Sequence, residues 1–217
     1  MEWRLLEGLP PEEVRELLAV ARRRRFRRGE VVFHRDDPAD SMHLVGKGRF
    51  AIRVMTPLGD TVTIAVRGPG DSFGEMALLD ADWRRTATVE ALEEAETFCV
   101  YHAEFTRLRR RHPGIDELLM RFLVNEVRVL NERLLEALYV PAERRVLRRV
   151  AELAKTYARG EGAVDVPLNQ SELASLAGTS RATVNRVLRD EERRGTIELL
   201  RGRTRVLDPS GLARRAR

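Results

Sequence analysis

At 217 residues, with 43% apolar and 34% charged side chains, the chain is long enough for one large or two small domains and carries enough apolar residues to fill their cores. Its longest apolar runs fall far short of the roughly 20 residues that span a bilayer, and residues 1–25 lack a signal-like apolar segment, so a membrane protein is excluded and a cytoplasmic one expected. The lone Cys99 excludes an internal disulfide and a multi-cysteine iron–sulfur cluster, and the net charge of +5 is uneven: from Pro141 onward 17 basic residues face 10 acidic ones, against 22 and 24 before it. That asymmetry points the C-terminal part, and only that part, at a polyanion.

Residues 9–21 open on Leu9, Pro10 and Pro11, follow with Glu12 and Glu13, and carry an apolar stripe at Val14, Leu17 and Leu18, which predicts a short packing helix. The arginine run at 22–28 is broken by Phe26 and ended by Gly29, and reads as an edge strand with a solvated face rather than a nucleic-acid patch. From Gly29 to Tyr101 short alternating stretches follow: 31–33, 42–45, 50–54, 61–66, 86–89 and 97–101. Gly46, Gly48, Gly59, Gly68, Gly70 and Gly74 punctuate them. Strands so short and evenly spaced predict an antiparallel β-roll or jelly-roll barrel, with Cys99 as a small buried hydrophobe within it.

After His112 and Pro113 the apolar period becomes helical. Leu119, Leu123, Val127, Leu130, Leu134 and Ala137 recur three and four apart until Pro141 ends the pattern. A helix this long with so narrow a seam wants a partner helix and predicts a homodimer, with Phe122 and Leu138 turned toward the barrel.

Residues 169–188 hold the densest signal. Asn169 can cap a first helix with Glu172 completing the box, Gly178 can take the positive φ of a turn, and Ser180 can cap a second helix that turns Val184, Val187 and Leu188 inward. Arg181, Ala182, Asn185 and Arg186 are left on its outer face, where a recognition helix meets the major groove; Gln170, Ser180 and Thr183 join them as candidate DNA contacts. Arginine can bond a guanine edge and asparagine an adenine edge in bidentate fashion. Residues 195–207 then read as two strands around Arg201-Gly202-Arg203, a wing that sets Arg201, Arg203 and Arg205 toward phosphate.

One N-terminal motif is equally specific: Phe73-Gly74-Glu75-Met76-Ala77-Leu78-Leu79, followed by Arg84-Arg85-Thr86-Ala87. With the order barrel, long helix, winged helix-turn-helix, it makes essentially the whole chain resemble the CRP/FNR family of bacterial transcription regulators. The resemblance implies an α+β protein with a cyclic-nucleotide-binding-like sensor at 1–112, a dimerisation helix at 113–140 and a winged helix-turn-helix at 141–217. It implies a ligand site at Gly74, Glu75, Met76, Arg85, Thr86 and Asn131, in which backbone N–H groups at Gly74, the Arg85 fork and the Thr86 hydroxyl take an anion and Glu75 accepts a ribose hydroxyl. The expected effector is cAMP or another cyclic nucleotide, no cofactor or metal being required. The expected partners are a palindromic double-stranded operator, a second copy of the chain and, through the loop 157–162, RNA polymerase.

The sequence also departs from that pattern. Leu130-Asn131 stand where cAMP-responsive members offer a threonine and a polar residue to the adenine, and Glu126 stands in place of an arginine. In the recognition helix Ala182 replaces a glutamate that would accept from cytosine, which implies an altered operator. A ligand-independent regulator, controlled by its own abundance, is therefore an alternative. A cupin-type barrel enzyme is the remote one, since His34, His43, His102 and His112 lie on separate segments without metal-ligand spacing.

Overall fold

The computed structural model describes residues 3–78, 84–112, 114–158, 160 and 162–216. Leu79, Pro113, Arg159 and Glu161, which belong to segments read above, lie outside the described residues. The chain forms two compact units, one of residues 1–61 and 65–129 and the other of residues 62–64 and 130–217.

In the first unit the strands make two four-stranded sheets. One has the spatial order β1 (Arg22–Phe26), β8 (Ala95–Tyr101), β3 (Ser41–Lys47), β6 (Ser72–Phe73); the other β2 (Val31–Phe33), β7 (Thr88–Ala91), β4 (Phe50–Met55), β5 (Thr61–Arg67). The pairs β1/β8, β8/β3, β3/β6, β2/β7 and β7/β4 are antiparallel. The period of two sorts β3 between two cores: Met42 and Leu44 face one way, His43 and Val45 the other. Between the sheets lie Phe26, Val45, Phe50, Phe73 and Val89, with Phe50 5.0 Å from Phe73 and 5.6 Å from Phe26, ring centre to ring centre. His43 joins them, stacked 5.0 Å from Phe73 and bonded through Nδ1 to Thr97 Oγ1; burial, with help from Arg85, drops its pKa to about 3. The arginine run behaves as read: β1 is an edge strand with Arg22 to Arg25 exposed and Phe26 buried. The strand expected at 86–89 begins two residues later, because Thr86 and Ala87 lie in a bend that carries the chain out of Arg85.

On the outer face of the first sheet, Met42, Leu44 and Val100 are covered by α1 (Pro11–Val20), α2 (His102–Arg111) and the start of α3 (Gly114–Tyr139) through Leu17, Phe105, Leu108, Ile115, Leu118 and Leu119. This corrects the reading of the central helix. Leu119 is buried here with Phe122 packed beside it, and Leu123 is half-buried, so the sheet takes the first two positions of the row assigned above to a partner, while Val127, Leu130, Leu134 and Ala137 are exposed as that reading requires. Toward the start of the helix the exposed apolar side chains are Met120 and Val124, and with Val127, Asn131, Leu134 and Leu138 they form an exposed row of alternating four-and-three spacing that shares Val127 and Leu134 with the row read from sequence. Leu138, expected to turn inward, is 64% exposed.

The second unit continues with α4 (Ala142–Tyr157), β9 (Val164–Val166), α5 (Gln170–Ala177), α6 (Arg181–Arg193), β10 (Ile197–Leu200), β11 (Arg203–Val206) and α7 (Pro209–Arg215), its three strands ordered β10-β11-β9. Two arginines of α4 fasten it. Arg145 donates from Nη1 to the carbonyls of Ala137 and Val140, where α3 ends, from Nε to that of Ala177 and from Nη2 to that of Gly178, where α5 ends. Arg149 pairs with the buried Glu136 of α3. At the other side Glu191 of α6, 1% exposed, accepts from Arg194, Thr196 and Arg215 and so ties α6 to β10 and α7.

Candidate effector cavity and nucleic-acid interface

A cavity of about 100 Å³ opens in the first unit between β2, β5, the 3-10 turn Glu75–Leu78 and the segment before β7. Five of the six residues expected at a ligand site line it together: Gly74, Glu75, Met76, Arg85 and Thr86. Asn131 lies on α3 in the second unit, with its side chain exposed. The approach of the chain at Gly74 explains why no other residue stands there. Its φ is +77°, and a Cβ would lie 2.8 Å from Arg85 Nη1.

The loop 34–38 fixes Arg85. Its backbone N–H donates to Asp37 and its carbonyl accepts from Asp36, which holds a left-handed φ of +68°. The side chain is 4% exposed, donates from Nη1 to the Ser41 carbonyl at 2.6 Å and from Nη2 to Ser41 Oγ at 3.1 Å, and lies 4.0 Å from the centre of the Phe33 ring. Asp40 Oδ1, its ionic partner at 3.3 Å, is itself largely solvated. Burial pulls the guanidinium below its ordinary value, and Arg85 Nε remains buried with no hydrogen-bond partner. Beside it burial pushes the Glu75 carboxyl above the ordinary range, against the pull of Arg67 and Arg85.

Arg67 and Arg84 also line the cavity and were missed from sequence. Arg67 was legible in principle: it shares the parity of the inward Thr63 and Ala65 on β5. Its Nη2 is 3.5 Å from Glu126 Oε2 of α3, and its Nε is buried without a partner.

In the second unit the helix-turn-helix forms as its spacing requires. Asn169 accepts from the backbones of Ser171 and Glu172 while Glu172 accepts from that of Asn169; Gly178 has φ +59°, and Ser180 caps α6 by accepting from Thr183. Val184, Val187 and Leu188 are buried, leaving Arg181 and Ala182 exposed and Asn185 half-buried, its Oδ1 accepting from Arg189. Gln170, Arg181 and Arg203 line one groove of about 450 Å³ between the start of α5 and the wing. Arg201 is exposed in the wing turn, whereas Arg205 is held by Asp165 at 2.7 Å and 3.2 Å and serves the sheet. The same Asp165 is 3.5 Å from Arg203. Arg186 is engaged too: it donates to Glu143 Oε1 at 2.6 Å, and that bond holds the Glu143 carboxyl below its ordinary range.

Among the described residues no helix is long and apolar enough to cross a membrane, and no three or more His, Cys, Asp or Glu side chains group as metal ligands. Residues 23–112 match the model of the cyclic nucleotide-binding domain and residues 144–215 that of the Crp-like helix-turn-helix domain. The chain is 30% identical, over 98% of its length and 96% of the relative's, to the CRP-like cAMP-activated global transcriptional regulator of Mycobacterium tuberculosis. It is 33% identical to the cyclic AMP receptor protein of Thermus thermophilus over 93% of its own length and 91% of that protein's. A solved structure of the Thermus thermophilus catabolite activator protein superposes with a TM-score of 0.57, at 32% identity over 98% of both chains. Carrying both domain types in this order, the chain belongs to the CRP/FNR family of transcription regulators.

Proposed function

We propose that the protein is a cytoplasmic, non-enzymatic regulator that binds a palindromic operator as a homodimer and is gated by a small anionic effector, cAMP or another cyclic nucleotide among them. Residues 1–112 form the sensor, 113–140 the dimerising helix and 141–217 the reader. The observation that carries the effector is Arg85: a guanidinium this buried, with an Nε–H that meets no acceptor beside an open cavity, is an expensive arrangement unless an anion completes it. Effector in the cavity alters the packing of the paired α3 helices and so the spacing of the recognition helices, which a palindrome read in successive major grooves fixes at about 34 Å.

Titration calorimetry of nucleotide-free protein with cAMP and cGMP tests this. Saturable binding at one site per chain is expected, weakened about 10–100-fold in Arg85→Gln by loss of a charge-assisted contact, with an unchanged dimer on sedimentation. A ligand-independent regulator is the second reading, favoured by a cavity of about 100 Å³ where ligand pockets commonly exceed about 300 Å³. Absence of heat from both nucleotides would overturn the cyclic-nucleotide reading and favour a ligand-independent or differently triggered regulator.

For the reader, Arg186 is assigned to a base edge and its bond to Glu143 to the unbound state. Arg186→Ala is expected to weaken binding to DNA selected in vitro by about 10–100-fold while nonspecific DNA loses much less. Glu143→Gln, which removes an exposed competing ion pair, should strengthen specific binding by no more than about fivefold. Fluorescence anisotropy reads both; equal losses on both DNAs for Arg186→Ala would make it a phosphate contact.

A further inference from the structure

Arg67 belongs to two places at once. Its side chain lines the effector cavity, yet its ionic partner there is Glu126, on the central helix α3 rather than among the lining residues. The pair is loose: one contact at 3.5 Å between side chains each about 30% exposed, with Arg67 Nε buried and lacking an acceptor. A guanidinium has five donors and takes a carboxylate best through two parallel bonds, so this one is under-used. Glu75 lies in the field of both groups, Arg67 lowering its pKa and Glu126 raising it, which puts all three charges within electrostatic reach of whatever enters the cavity.

We propose that the Arg67–Glu126 pair is a ligand-displaceable latch: the carboxylate of Glu126 occupies, in the unliganded chain, the guanidinium that an effector's anionic group takes on binding. The proposal rests on the assignment of this cavity to an anionic effector. Arg67 is then a second anion-binding residue beside Arg85, and Glu126 an internal competitor whose release reports occupancy to α3. Glu126 falls between Val124 and Val127 of the exposed apolar row, so the helix segment freed by the ligand is the one that faces a partner. The exchange needs no covalent step: one carboxylate leaves a guanidinium and one phosphate oxygen replaces it.

The test is a double-mutant cycle on the full-length protein, read by calorimetric titration with cAMP and cGMP. Glu126→Gln should tighten nucleotide binding about three- to tenfold, since a neutral amide competes less well for Arg67. Arg67→Gln should weaken it about tenfold, and the double variant should bind like Arg67→Gln alone, because the competitor has no effect once its target is gone. Hydrogen exchange gives a readout independent of affinity: residues 120–130 of unliganded Glu126→Gln should resemble those of the liganded wild type. Additive effects, or weaker binding by Glu126→Gln, would mean a structural ion pair and overturn the latch while leaving the cavity assignment standing. No binding by the wild type would overturn both.

Discussion

A chain carrying Val127→Glu and Leu134→Glu should be a folded monomer whose affinity for palindromic DNA is about 10²–10⁴-fold below that of the parent. The two side chains are 56% and 57% exposed, so the charges enter no core of the single chain. What they spoil is a row along α3 that also includes Met120, Val124 and Leu138, each 63–64% exposed, an apolar strip too long for an isolated chain to leave in water. Its alternation of four and three residues is that of helices packed knobs into holes, and Asn131 fills one position of the repeat, where a polar side chain fixes register at some cost in stability. A palindrome bound by two tethered readers gains an effective local concentration for the second half-site, and that gain vanishes with the dimer. Sedimentation equilibrium and DNA titration together decide it; a persistent dimer would place the interface elsewhere.

Glu191→Ala should lower the stability of the DNA-reading unit by about 2–3 kcal/mol, a shift of about 10 °C or more in its melting temperature. Glu191 is 1% exposed, and burial alone would raise its pKa; bonds from Arg215, Thr196 and Arg194 outweigh that and leave it below the ordinary value of 4.5. A depressed carboxylate stabilises the fold fully above its unfolded pKa and loses that contribution as the pH falls through the folded one. Wild type and Glu191→Gln should therefore differ most near neutral pH and converge in acid. Parallel melting curves at every pH would show that the charge contributes nothing. DNA affinity should fall with stability, since Glu191 lies three residues from Leu188 on the helix that carries the reading side chains.

How much of this was legible in the sequence depended on whether the information was local. The capping box at Asn169 and Glu172, the left-handed Gly178 and the inward Val184, Val187 and Leu188 are each decided within a few residues, and all were readable. So was the grouping of Gly74, Glu75, Arg85 and Thr86, which family resemblance supplied. The start of the exposed row on α3 was misplaced because Leu119 and Val127 are equally apolar, and only the apolar outer side of the first sheet decides that Leu119 is covered while Val127 is not. Arg67, the pairing of Glu126 with it, and that of Glu143 with Arg186 escaped for a different reason. Charged residues read as solvated surface until a partner is seen, and their partners lie 59 residues away in one pair and 43 in the other.

The joint between α3 and the reading module has a consequence for how the protein can drift over generations. Every acceptor that Arg145 uses is a main-chain carbonyl, at positions 137, 140, 177 and 178. Carbonyls are indifferent to side-chain identity, so mutation at those four positions leaves the joint's chemistry untouched wherever the backbone path survives. The surface side chains of α3 and of the reading module can thus change from one lineage to the next while the joint between them stays constant. The burden falls on a single codon, because a lysine's point charge cannot span the ends of two helices with a planar fork of donors.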